Sequence, residues 1–128
     1  MWGTLNNVAV GWFYANDVTK KKHVIRHYKS GIDVGFVAHP SFVTEEELAA
    51  ITGPLSIAAA ETDNIFPEEK RHQSEVILRQ TGVPYQICLY SGVRHGFSVR
   101  GDMSIKMERF GKEQAFCQAV QWFDEFLE

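Results

Sequence analysis

The chain has 128 residues, 45% hydrophobic and 12% aromatic, with 13 Lys+Arg against 16 Asp+Glu and a formal charge of −3. That composition describes one globular domain with a core of its own and excludes a disordered tail. The slight acidity argues against a dedicated nucleic-acid binder, and no apolar run approaches the ~18 residues of a membrane-spanning helix. The opening MWGTLNN lacks the basic-then-apolar order of a secretory signal. Cys88 and Cys117 have neither a disulfide framework nor metal-ligand spacing. The expectation is a single domain over 1–128, cytoplasmic, with no metal, no membrane and no nucleic acid.

Apolar runs of strand length alternate with longer, more polar stretches. Runs 8–13, 32–38, 55–60 and 85–90 read as strands. The first three are nearly continuous, as strands covered on both faces must be. Four strands separated by helical segments imply βαβ units and a parallel sheet, an α/β fold. Segment 17–29 is a weak helix, because Lys20, Lys21 and Lys22 oppose the dipole at its start; its basic residues read as a solvated face rather than a phosphate site. Thr44 with Glu47 forms a capping box ahead of Leu48-Ala49-Ala50. Pro67 suits a first helical position, with Glu68 and Glu69 behind it and Gly82 as the stop. In the last helix, Phe116, Ala119, Val120, Phe123, Phe126 and Leu127 recur at helical spacing and predict one apolar stripe.

In open parallel sheets, ligands bind beyond the carboxyl ends of the strands. Asp63 in ETDNIFP and His95 in SGVRHGF follow two consecutive strands there. An acid and then a histidine is the second half of the order nucleophile, acid, histidine. The carboxylate would fix the imidazole tautomer, and the imidazole would move the nucleophile's proton. Simpler roles remain open: Asp63 as a cap for the helix near Pro67, and His95 as a surface-loop histidine.

The segments GIDVGFVAHPSFV, AAAETDNIFP and YSGVRHGFSVRGD resemble the dienelactone hydrolase family, its fungal members especially, from about residue 31 to the C-terminus. The resemblance implies a partial α/β-hydrolase fold of about four parallel strands with flanking helices, lacking the N-terminal strands. It implies hydrolysis of small carboxylic esters or lactones without a cofactor, with Asp63 as triad acid and His95 as base. Arg100 is a candidate for a substrate-carboxylate arginine, set against a plain surface-loop role.

The family's nucleophile sits in a Gly-x-Cys-x-Gly or Gly-x-Ser-x-Gly elbow. Gly11-Trp12-Phe13-Tyr14-Ala15 aligns there, so Phe13 occupies the nucleophile position and carries no atom that can attack a carbonyl. Among substitutes, Cys88 lies mid-strand and Cys117 in the last helix, whereas Ser41, in the His39-Pro40-Ser41 loop, stands on the right edge of the sheet. Tyr14 reads as packing. Two accounts follow. One is an esterase lineage that retains the Asp63–His95 pair without the elbow nucleophile in this chain. The other is a non-catalytic, truncated homologue that binds a small ligand or oligomerises. With the earlier strands lacking, run 8–13 becomes a sheet edge, and an exposed edge or under-covered face predicts a homo-oligomer.

Overall fold

The structure, a computed structural model, describes residues 4–5, 8–9, 33–41 and 43–127. Strands β1 (Thr4–Leu5) and β2 (Val8–Ala9) pair antiparallel, Thr4 opposite Ala9 and Leu5 opposite Val8. Strands β3 (Gly35–Ala38), β4 (Leu55–Thr62) and β5 (Tyr85–Arg94) form a separate parallel sheet in the order β3-β4-β5. The described parallel sheet therefore has three strands, not four. Val8 and Ala9 pair with Leu5 and Thr4, only three and five positions upstream, and not within the parallel sheet. Residues 10–13 of the expected strand, the segment 17–29, Phe13 and Tyr14 lie outside the described residues.

Helix α1 (Glu45–Ala49) connects β3 to β4, and α2 (Glu68–Thr81) connects β4 to β5. The capping box forms as the sequence predicts: Thr44 Oγ1 accepts from Glu47 N at 3.2 Å, and Thr44 N donates to Glu47 Oε1 at 3.1 Å. Pro67 stands at the N-cap of α2 rather than inside its first turn. Gly82 ends α2 with φ 77, a left-handed cap that glycine adopts without a Cβ penalty. After β5 come the four-residue α3 (Phe97–Arg100) and the long α4 (Lys106–Phe126).

Alternation along the strands divides the sheet into two cores. Val37, Leu55, Ile57 and Ala59 meet Leu48, Ile51, Phe66 and Leu78 on the α1/α2 face. Phe36, Ala38, Ala58, Ala60 and Val93 meet Phe97, Ala115, Ala119, Trp122 and Phe123 on the α4 face. All of β3 and the first six residues of β4 are buried, which is why their sequence runs apolar without alternation.

The face that α4 buries is rotated from the expected stripe. Gly111, Ala115, Gln118, Ala119, Trp122 and Phe123 are buried, while Phe116 is 48% exposed. Small residues permit the close approach: a Cβ on Gly111 would stand 2.9 Å from Val93 Cγ1. A polar residue then joins the stripe because its bonds are met. Gln118 Nε2 donates to Ser56 Oγ at 2.8 Å and to the Ile57 carbonyl at 3.0 Å, and its Oε1 accepts from the Tyr90 hydroxyl at 2.6 Å. Ser56 in turn donates to Gln86 Oε1 at 2.8 Å. A satisfied buried network of this kind fixes the helix in one position on the sheet.

Candidate active site

The site lies where β3, β4 and β5 end, and a register shift assembles it. Sequence alone stops the last strand at Tyr90, yet β5 continues to Arg94. Ala60 stands opposite Tyr90 but Thr62 opposite Arg94, so β5 spends two residues more than β4 over that interval. Gly92 lies in the shift with φ 75, and its N–H donates to Glu61 Oε1 at 2.8 Å. A Cβ at Gly92 would meet Met107 Cβ of α4 at 2.8 Å, so only glycine suits both the backbone and the packing. The shift brings His95 level with Asp63, and His95 N donates to the Thr62 carbonyl at 3.2 Å.

Asp63 divides its two oxygens between two tasks. Oδ1 accepts from the backbone N–H groups of Ile65 and Phe66 at 2.8 and 2.9 Å, which closes the turn before α2. Oδ2 lies 2.7 Å from His95 Nδ1. The capping alternative thus holds for a turn and not for the helix, since Pro67 is the N-cap and makes no side-chain bond there. The Asp63 side chain is fully buried. Burial alone pushes its carboxyl pKa up, but the bonds from His95 and from the Phe66 and Ile65 amides outweigh that and hold it below the ordinary 3.8.

An ionised carboxylate only accepts, so His95 Nδ1 carries the proton and Nε2 of the neutral ring presents a lone pair. Ser41 Oγ is 3.2 Å from that Nε2. Three side chains from three strand ends are brought together in the order Ser41, His95, Asp63. The His95 side chain is 14% exposed, whereas Ser41 is fully buried.

Ser41 reaches His95 because of a sharp turn at His39. The His39 N–H donates to the Ala58 carbonyl at 2.7 Å, extending the β3–β4 ladder by one bond. Its φ is 40, in the left-handed region that costs a residue with a Cβ about 1–2 kcal/mol. The His39 ring is fully buried, with Nε2 at 2.5 Å from Ser98 Oγ. It stands edge-on to His95 at 5.0 Å between centroids and to Phe97 at 5.5 Å. Sequence reasoning passed over His39; its signal is a histidine at the carboxyl end of a strand, immediately before a proline.

Arg100 ends α3 and is exposed. Its guanidinium lies over Gly96, where a Cβ would stand 2.7 Å from Arg100 Nε; Gly96 itself has φ 89. Arg100 is therefore packed beside the His95 backbone. The thiols are elsewhere: Cys88 is half-buried in β5, where burial pushes its pKa up against a partly offsetting Tyr90 bond, and Cys117 is exposed on α4. Among the described residues no group of three or more His, Cys, Asp or Glu could hold a metal ion, and no helix is long and apolar enough to cross a membrane. A cavity of about 350 Å³ opens between α1 and α2, bounded by Pro40, Val43, Leu48, Phe66, Lys70 and Ile77 among others. Ser41, Asp63 and His95 do not line it.

Residues 19–127 match the Dienelactone hydrolase family. The chain is 55% identical to the hydrolase tropI of Talaromyces stipitatus over 93% of this chain and 45% of that protein. It is 53% identical to the hydrolase pyvD of Aspergillus violaceofuscus over 92% of this chain and 46% of that protein. The chain thus spans about half the length of the curated relatives it matches. Among solved structures, the Pyrococcus horikoshii acylaminoacyl peptidase superposes with a TM-score of 0.58 at 11% identity, over 86% of this chain and 24% of that one, a likeness of fold.

Proposed function

From the premise that this chain belongs to the dienelactone hydrolase family, we propose that it hydrolyses small carboxylic esters or lactones, with His95 as the acid–base group and Asp63 as its orienting carboxylate. The observation that carries this reading is the single His95 ring held between Asp63 Oδ2 at 2.7 Å and Ser41 Oγ at 3.2 Å. Ser41 is the hydroxyl that His95 deprotonates in this chain, since Phe13, at the position the elbow nucleophile would take, has no nucleophilic atom.

In the first half-reaction Ser41 Oγ attacks the carbonyl carbon while His95 Nε2 takes its proton. Asp63 stabilises the imidazolium so formed. The tetrahedral intermediate collapses with cleavage of the C–O bond, and His95 returns the proton to the leaving alkoxide; in a lactone the leaving oxygen stays tethered as the ring opens. Water then attacks the acyl-serine, giving its proton to His95, and collapse releases the acid and restores Ser41. The burial of Ser41 makes access to its oxygen the slow feature of the cycle, so turnover is expected to be modest. Arg100, packed over Gly96 beside His95, is assigned the carboxylate of an acidic substrate.

The test is turnover of a short-chain aryl ester by the wild-type chain, His95→Ala and Ser41→Ala. Loss of turnover in both variants supports the reading. Turnover indifferent to His95→Ala contradicts it.

The burial of Ser41 and the exposed outer strand favour a second, non-catalytic reading, in which the chain is a homologue that oligomerises. Among the described residues β5 is an edge of the parallel sheet, with Tyr85 and Leu89 37% and 50% exposed, and an edge strand is a template for pairing with another copy. Light scattering at tens of micromolar distinguishes the two: a dimer mass combined with no ester turnover favours this reading, and a monomer mass removes it.

A further inference from the structure

We propose that His39 is a positioning residue for His95: its buried ring, anchored on Ser98, fixes the plane of the imidazole that Asp63 and Ser41 share. The proposal rests on the acid–base role given to His95 above. Asp63 holds that ring at Nδ1 and Ser41 at Nε2. Together with the covalent Cβ–Cγ link, these two bonds set where the ring lies, yet both weaken as soon as the ring swings about that link. The buried His39 ring, 5.0 Å away by centroid and inclined by 63°, packs against it and keeps it in that plane.

His39 can act as a stop because it is itself held. Its Nε2 bonds Ser98 Oγ, and its ring meets Phe97 at 5.5 Å with an interplanar angle of 69°. Both partners belong to α3, which begins one residue after the His95–Gly96 step. The same side chain therefore pins the ring of His95 and the helix that follows it to the end of β3. A phenylalanine or leucine would fill the space but leave Ser98, which is 2% exposed, without this partner. The left-handed backbone at His39 serves the same end, since it turns the chain so that Ser41, two residues on, returns to the opposite side of His95.

The experiment uses the full chain with ¹⁵N-labelled histidines. The hydrogen-bonded Nδ1 proton of His95 is observed by NMR, beside kcat and KM for an aryl ester and far-UV circular dichroism. With the fold intact, His39→Ala is expected to broaden or abolish the Nδ1 proton signal. It is also expected to lower kcat roughly tenfold with KM unchanged, the loss that follows from misorienting a catalytic group. Ser98→Ala, which removes only the anchor, is expected to shift the same signal in the same direction and decides the matter if His39→Ala does not fold. A His95 signal unchanged in the folded variant overturns the proposal, whatever the turnover. If the wild-type chain hydrolyses nothing, the functional reading fails while the NMR signal still decides the role of His39.

Discussion

Asp63 Oδ2 and His95 Nδ1 lie 2.7 Å apart because β5 runs two residues longer than β4 between the Ala60–Tyr90 and Thr62–Arg94 pairs. With an unbroken register Val93 would stand level with Asp63. Val93 instead turns into the α4 core, where it is 1% exposed. One irregularity thus completes the core and delivers the histidine.

Gly92 is the residue that permits this, and Gly92→Ala is a direct test. Its left-handed backbone costs an alanine about 1–2 kcal/mol, and the added Cβ would press on Met107 Cβ at 2.8 Å. A shift of about 1 Å in His95 is expected to cost on the order of a hundredfold in ester turnover. The stability loss, measured by urea unfolding, is expected to stay near the strain cost. Turnover within threefold of wild type would show that the shift does not position His95.

Asp63 gives a dependence of stability on pH. Its carboxyl titrates below 3.8 in the folded chain and at about the ordinary value when unfolded. The stabilisation is fully present above the unfolded value and is lost as pH falls through the lowered folded one, because in between the unfolded chain binds the proton more readily. Asp63→Asn is expected to flatten that acid limb in unfolding curves taken between about pH 5 and pH 2, and to reduce turnover at neutral pH by about 10³–10⁴-fold. An acid limb as steep as that of wild type would contradict the assignment.

The substrate-binding role proposed for Arg100 can be tested apart from the chemistry. Replacing it with glutamine is expected to raise KM about tenfold for a lactone or ester bearing a free carboxylate, through loss of a charge-assisted bond, and to leave a neutral aryl ester unaffected. Equal effects on both substrates would mean that Arg100 acts on structure and not on the substrate charge.

Gln118 carries the contact between α4 and the sheet. Gln118→Ala removes three hydrogen bonds, those with the Tyr90 hydroxyl, Ser56 Oγ and the Ile57 carbonyl, at about 0.5–1.5 kcal/mol each. A total loss of roughly 2–4 kcal/mol is expected in urea unfolding, against about 1 kcal/mol for Tyr90→Phe, which removes one hydroxyl and its bond. A Gln118→Ala loss below that of Tyr90→Phe would show that the network does not hold the helix.

Much of this arrangement was legible in the sequence for physical reasons. The unbroken apolar runs of β3 and β4 declare strands covered on both faces, and the Thr44/Glu47 box and Gly82 mark helix ends by local hydrogen bonding and a left-handed cap. Asp63 and His95 were visible because each follows a strand on the same edge of the sheet. What escaped depends on distant partners. Val8 and Ala9 read as the start of a parallel strand, but local pairing with Thr4 and Leu5 takes them instead. The α4 stripe turned toward Ala115 and Gln118 because Ser56 and Tyr90, far away in sequence, offer Gln118 its bonds. The extension of β5 had a local mark, a glycine within a strand, which is a bulge signal.

Covalent trapping decides whether His95 activates Ser41. The wild-type chain, Ser41→Ala and His95→Ala would be incubated with a fluorophosphonate and digested for mass spectrometry. A single phosphonyl adduct is expected on the Ser41 peptide of the wild-type chain and on neither variant. No adduct on Ser41, or one formed equally well in His95→Ala, would contradict that activation.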